Sequence, residues 1–301
     1  MSFDEERPYQ VEKTEYSGRH KLDLWETAFG LQKTDGLEPS EYMVQQAQSH
    51  IDGKVSYQEV EQNVKSYYVE NPSEDDKRHE EADVSSLGIF QILAEEGFSL
   101  SPVTLLNYHK RLFHGVESFR YPVGRYRTEN VTKTEPVLNG KSVEYASASM
   151  IAENLAYDFE MEKNRDYSMM TKHEIANQVM KFVSGTWQTH PFRERNTRTS
   201  AVFLIKYLRH MGFEVNNEPF KKNSKFFRDA LVLANAATTS RYRTDQYLKW
   251  FTDNLLFGGT HELVIVPFKS QKDFYTHLEE AKQKQAKFPS SNTNEQKSPK
   301  L

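Results

Sequence analysis

The chain has 301 residues, of which 37% are hydrophobic and 13% aromatic, with a formal net charge of −4 and no cysteine. Disulfides and thiol nucleophiles are therefore excluded, and a structural zinc site loses its commonest ligands. The lack of a basic surplus argues against a protein whose main task is gripping nucleic acid, and no apolar run approaches the roughly 20 residues of a membrane span.

Residues 1–15 are polar and are expected to form a flexible N-terminus. They hold no apolar core of the kind a secretory leader needs. The expectation is a cytoplasmic protein, and export by a leader-independent route stays compatible with the sequence. KLDLWETAFGLQK (21–33) spaces Leu22, Trp25, Ala28, Phe29 and Leu31 at close to helical intervals, and TDGLEPS (34–40) stops it with a glycine and a proline. Ser40 can cap a second helix with Met43, Val44, Ala47 and Ile51 as its stripe and Gly53 at its end. Ser56 and Glu59 form a capping box for a third, lined by Val60, Val64 and Tyr67. Residues 16–70 thus read as a small three-helix segment, with too little core to stand alone. ENPSEDDKRHEEAD (70–83) reads as a charged, solvated connector, placed at 71–84.

The main domain is expected over 85–272. SSLGIFQILAEEG and SPVTLLNYHKRLFHGV read as helices, the second capped by Ser101. NVTKTEPVLNGKSVEYAS (130–147) differs, with β-branched residues and an Asn139-Gly140 pair that is a strong hairpin signal. Pro136 confines one arm to a sheet edge. Helical patterns resume through ASMIAENLAYDFEME, KHEIANQVMKFVSGTWQTH, TSAVFLIKYLRHMGF, NSKFFRDALVLANAA and DQYLKWFTDNLLF. Residues 273–301 are expected to be a largely disordered tail. The chain therefore reads as all-α with one β-hairpin. His50 and His173 read as isolated surface histidines, and His109 and His114 have the wrong spacing for a helical zinc pair. Tyr242, Tyr247, Trp250 and Phe251 read as core.

HPFRERNTRTSAVFL (190–204) crowds His190, Arg193, Glu194, Arg195, Asn196 and Arg198 between two helical patterns. The cluster falls at a helix N-terminus, where free N–H groups and the helix dipole favour an anion and arginine forks match phosphate oxygens. A carboxylate there, Glu194, is compatible with phosphate when a divalent cation such as Mg²⁺ lies between them. His190 could take a proton from an attacking hydroxyl. A capped helix with solvated charges is the other reading of the same residues.

The stretch resembles the Fic family signature, H-P-F-x-[D/E]-G-N-G-R-x-x-R, at His190, Pro191, Phe192, Glu194, Asn196 and Arg198. The resemblance covers about 85–268, including GRYRTENV (124–131) and SASMIAENLAYDFE (147–160). It implies a helical Fic-type domain and transfer of AMP from ATP to a Ser, Thr or Tyr hydroxyl of a target protein. By position, His190 would be the general base and Glu194 would hold Mg²⁺. Arg193, Arg195, Asn196, Thr197 and Arg198 would surround the nucleotide phosphates, with Phe192 anchoring the loop. The hairpin would be the flap that receives the target, through Val131, Thr132, Lys133 and Thr134. Three positions depart from the pattern: Arg195 and Thr197 replace glycines, and Ala201 replaces the second arginine. They leave open a catalytically impaired Fic-fold binding module, or a transferase with another phosphate-containing donor. DGLEPSEYMVQQAQSHIDGKVSYQEVEQNVKSYY (35–68) is similar to the small VbhA-type antitoxins that silence Fic toxins. That likeness implies an autoinhibitory segment acting through Asp35 and Gly36, with Ser66, Glu70 and Asn71 as the alternative. No nucleic-acid or membrane partner is expected.

Overall fold

The described residues, 17–71, 77–116, 120–265 and 271–286 of a computed structural model, form eleven α-helices and no β-strand. In chain order these are α1 (Gly18–Gln32), α2 (Glu41–Ile51), α3 (Tyr57–Glu70), α4 (Lys77–Ala94), α5 (Pro102–Phe113), α6 (Ile151–Lys163), α7 (Lys172–Thr189), α8 (Asn196–His210), α9 (Glu218–Ala234), α10 (Gln246–Leu256) and α11 (Gln271–Ala286). Short 3₁₀ turns occupy Lys33–Asp35, Pro136–Leu138 and Ala148–Met150. Local chemistry sets many of the boundaries. The hydroxyls of Ser17, Ser40, Ser56, Ser101 and Thr171 accept from first-turn N–H groups, and Glu59 and Glu174 complete two capping boxes. None of the described helices is long and apolar enough to cross a membrane.

The axis of the fold is α8, in which every residue from Asn196 to Leu208 is buried. It is packed by α1, α4, α5 and α7. One apolar cluster runs from Leu24 and Trp25 through Phe203 and Leu204 to Phe251 and Phe274, so the N-terminal helices share the core of the rest. The α1–α9 contact brings backbone against backbone. A Cβ at Gly30 would stand 2.4 Å from Lys221 Cα and 2.7 Å from the Phe220 carbonyl oxygen, and Ser224 Oγ donates to the Gly30 carbonyl at 2.6 Å. Trp25 stacks on Phe90 at 4.3 Å between centroids and donates its indole N–H to His50 Nδ1 at 3.1 Å. These contacts join α1, α2 and α4.

Several expectations need correction. The solvated connector gives way to helix from Lys77 onward, and Glu81 to Phe90 are all buried; residues 72–76 lie outside the described residues. The hairpin of 130–147 has its turn but not its strands. Asn139 and Gly140 take the positive φ of a type I′ turn (55° and 82°), and Lys141 N–H donates to the Leu138 carbonyl at 3.3 Å. However, Pro136 opens a 3₁₀ turn that drives Val137 and Leu138 into the core, so no ladder propagates. The tail is helical as far as Ala286, with Phe274 and Leu278 buried; residues 287–301, like 1–16, lie outside the described residues. His50 is buried rather than at the surface, and Val44 is 46% exposed rather than part of the stripe. Tyr242, Tyr247, Trp250 and Phe251 are core.

Two measurements test this packing. Gly30→Ala should lower stability by about 3 kcal/mol, the upper range for overpacking, in chemical denaturation, because backbone atoms cannot step aside as a side chain can. Burial pulls the His50 pKa from about 6.5 to about 4. Between those values the unfolded chain binds a proton that the folded chain refuses, so stability is complete above about pH 6.5 and falls as the pH drops toward 4. Thermal melts across that window should show the fall, and His50→Gln should flatten it.

Candidate active site

The turn from α7 to α8 is bracketed by two left-handed residues. His190 ends α7 at φ 50°, ψ 60°, and Arg195 precedes α8 at φ 64°, ψ 26°. Each costs about 1 kcal/mol or more for a residue with a side chain, so the surroundings must hold the turn. Asn196 does so on both sides of Phe192, accepting from its N–H at 2.9 Å and donating to its carbonyl at 2.8 Å. The buried Phe192 ring stacks on His109 at 3.8 Å. His109 Nδ1 accepts from Gly124 N–H at 2.9 Å, which leaves Nε2–H to donate to the Glu194 carbonyl at 3.3 Å. Burial lowers the His109 pKa to about 3, so this bridge is neutral. Trp187 Nε1 donates to Thr197 Oγ1 at 3.0 Å, tying α7 to α8.

His190 is 2% exposed. Its ring stacks on Tyr145 at 4.1 Å and meets Trp187 edge-on at 5.7 Å. Neither ring nitrogen has a hydrogen-bond partner among the described residues. Burial first, then the nearby charge of Lys133, holds its pKa well below the ordinary value. The ring is therefore neutral at pH 7. No side chain caps α8, so its first-turn N–H groups are left to an anion or to solvent.

Four charged groups lock the start of α8 to the N-terminal half of the chain. Glu81 of α4 grips Arg195 with both oxygens, at 2.5 Å from Nε and 2.7 Å from a terminal nitrogen, and also accepts from Arg198. Asp35 places Oδ2 2.8 Å from Arg198 Nε and Oδ1 3.6 Å from Arg195. Arg198 is 0% exposed. It further donates to Gln32 Oε1 at 2.6 Å and Ser85 Oγ at 3.0 Å, and lies over the Phe113 ring at 4.9 Å. Burial pushes the Asp35 and Glu81 carboxyls up, but the arginines outweigh it and leave both below their ordinary values.

The structure brings together His190, Glu194, Arg195, Asn196, Thr197, Arg198, Lys133 and Asp35. Glu194 is 3.6 Å from Lys133 and 3.9 Å from Arg195. Asn196 is occupied as the staple of the turn. Arg193 points elsewhere, over the Tyr121 ring at 5.4 Å. Val131 and Lys133 are half-buried, and Thr132 and Thr134 exposed. Gly36, at φ 65°, turns the chain away after Asp35, and its carbonyl accepts from Arg78 at 2.7 Å. Ser66, Glu70 and Asn71 are exposed at the end of α3 and are not partners of Arg195 or Arg198. Ala201 is buried in α8. Sequence reasoning missed Glu81, Gln32 and Arg127. The helical recurrence Glu81, Ser85, Gly88, Ile92 was the available signal for the first.

Residues 99–208 match the model of the Fic/DOC family, a family that transfers nucleoside monophosphates to proteins. The match places a Fic/DOC family domain on the segment that holds the turn. Among solved structures, the chain is similar to the N-terminal FIC domain of Bep8, a VirB-translocated Bartonella effector protein from Bartonella sp. 1-1C. Identity is 18%, with 62% of this chain and 87% of that one covered, at a TM-score of 0.46. It is also similar to the N-terminal Fic domain of a Bartonella effector protein from Bartonella sp. AR 15-3, at 17% identity, 66% and 88% coverage and a TM-score of 0.48. No curated protein matches the chain.

Asp35 and Glu81 share Arg198, so their removal should be non-additive. Glu81→Gln should cost about 3 kcal/mol, as for breaking a buried pair. A double-mutant cycle with Asp35→Asn should give a coupling of about 1 kcal/mol or more in denaturant titrations.

Proposed function

We propose that the chain is a Fic-type protein adenylyltransferase restrained by its own VbhA-like N-terminal segment. The observation that carries this reading is His190, a buried neutral imidazole with both nitrogens unpartnered, beside the uncapped start of α8. In the proposed reaction a target hydroxyl oxygen attacks the α-phosphorus of ATP and a new O–P bond forms. The bond to pyrophosphate breaks, and the hydroxyl proton passes to His190. The first-turn N–H groups of α8 and Arg198 would face the phosphates, and the 130–147 segment would lie against the target.

Glu194 suits a divalent cation shared with phosphate. Among the described residues no three or more His, Cys, Asp or Glu side chains gather to hold an ion, so Mg²⁺ there would depend on phosphate oxygens and water beside that one carboxylate. The ion would offset phosphate charge.

The restraint is supported by Asp35. Its carboxylate occupies the Arg198 face that a phosphate would need, and the usual second arginine is absent at Ala201. Glu81 adds a second acid on the same guanidinium. It also draws the Arg195 side chain onto α4, which answers how an arginine can stand where the family pattern has glycine. The second reading, a catalytically silent binding module, draws on the same saturation of Arg198.

Incubation with α-labelled ATP, Mg²⁺ and cell lysate separates them. The unaltered chain should label weakly, Asp35→Ala at least tenfold more, and Asp35→Ala/His190→Ala not at all. No detectable ATP binding by calorimetry in Asp35→Ala would favour the catalytically silent module. Labelling with another nucleotide or phosphate-containing donor in place of ATP would point to a different donor.

A further inference from the structure

Arg127 is 5% exposed, and no carboxylate pairs with it among the described residues. Its guanidinium donates instead to main-chain oxygens: Nε to the His190 carbonyl at 2.7 Å, and one terminal nitrogen to the Glu129 carbonyl at 2.6 Å. The other terminal nitrogen donates to the Ala146 carbonyl, with the Thr189 carbonyl at 3.4 Å. Its own backbone N–H donates to the Pro191 carbonyl at 2.8 Å. One cation therefore holds three pieces of chain together. These are the entry to the 130–147 segment, the exit from it, and the main chain on both sides of His190.

A buried charge without a counter-ion is expensive. Burial, followed by repulsion from Arg193, lowers the pKa of Arg127 accordingly. An apolar side chain would fill the space at lower cost, but it could not bind the four carbonyls that α7 and the loops leave open. The residue held most directly is a strained one, since His190 is left-handed. The imidazole itself receives no hydrogen bond that would orient it. Its direction thus depends on its main chain and on its packing against Tyr145 and Trp187. Tyr145 belongs to the segment whose exit Arg127 clamps one residue later, at Ala146.

We propose that Arg127 is a positioning residue. It fixes the His190 main chain and the segment that bears Tyr145 in one arrangement, so that the imidazole is aimed at the target hydroxyl. The proposal rests on the reading of His190 as the base. Lysine at 127 keeps the charge but has three donors on one nitrogen and cannot reach four carbonyls spread over three pieces of chain, and glutamine keeps two donors without charge.

The test uses the full chain in the Asp35→Ala background. Arg127→Lys and Arg127→Gln should fold, by circular dichroism. They should lower kcat at least tenfold with KM for ATP within about twofold, the pattern of misaimed rather than lost groups. The imidazole NMR signals of His190, assigned by their loss in His190→Ala, should move in both variants. Those of His173 and His261 should not. A kcat within threefold of the background with unmoved His190 signals would overturn the proposal, as would unfolding of both variants, which would make Arg127 a stability residue. If no variant labels any protein, the base reading fails by itself. The His190 signals then still decide whether Arg127 positions that ring.

Discussion

A guanidinium with no exposed surface sets the terms for the centre of this fold. Taking Arg198 out of water costs several kcal/mol unless its donors are met, and α8 alone has nothing to meet them with. The partners come from elsewhere: Gln32 at the end of α1, Asp35 in the turn beyond it, and Glu81 and Ser85 on α4. Gln32 is itself fully engaged, since its amide donates to Ala28 and Ser86 and its oxygen also accepts from Ser85. The N-terminal helices thus meet the rest of the chain through a polar layer as well as an apolar one. That layer is where the proposed restraint and the proposed chemistry share atoms.

The second constraint is the left-handed backbone at both ends of the 190–195 turn. Glycine would enter such a conformation freely; an arginine does so here with its side chain drawn off to Glu81. The turn is held by its own staple at Asn196, by the Phe192–His109 stack and by Arg127 from outside. Asn196 therefore serves backbone geometry first. This illustrates how a residue that a family pattern associates with the nucleotide can be occupied by the loop that carries it.

Much of the architecture was legible in the sequence because its signals are local. The capping residues Ser40, Ser56 and Ser101 and the terminator Gly53 stand where expected, and the helical stripes predict most of the core. The positions of His190 and Asp35 followed from motif resemblance, not from periodicity. The errors arose where tertiary contact overrode composition. Glu81 and Asp83 look solvated in a run of charges, yet Glu81 meets two arginines more than a hundred residues away, and Asp83 meets Ser40 and Tyr68. The Asn139-Gly140 turn formed as its chemistry dictates, while Val137 and Leu138 found the core instead of a strand partner. Arg127 could not be recognised, because backbone carbonyls as ligands leave no trace in residue types.

The glycine contact between α1 and α9 has a consequence for how the proposed restraint could ever be lifted. Helices whose main chains touch cannot slide apart by degrees, and withdrawing α1 would wet Leu24, Trp25, Ala28 and Leu31 together, the larger side chains each being worth about 2 kcal/mol of burial. The Lys33–Asp35 turn lies beyond these side chains and is tied to the end of α1 through the Leu31 carbonyl, which accepts from Thr34 Oγ1 at 2.9 Å. Under the proposed restraint, a rearrangement confined to that turn would cost less than withdrawal of the whole helix, and removing the first seventy residues would expose the apolar surface that α1 covers.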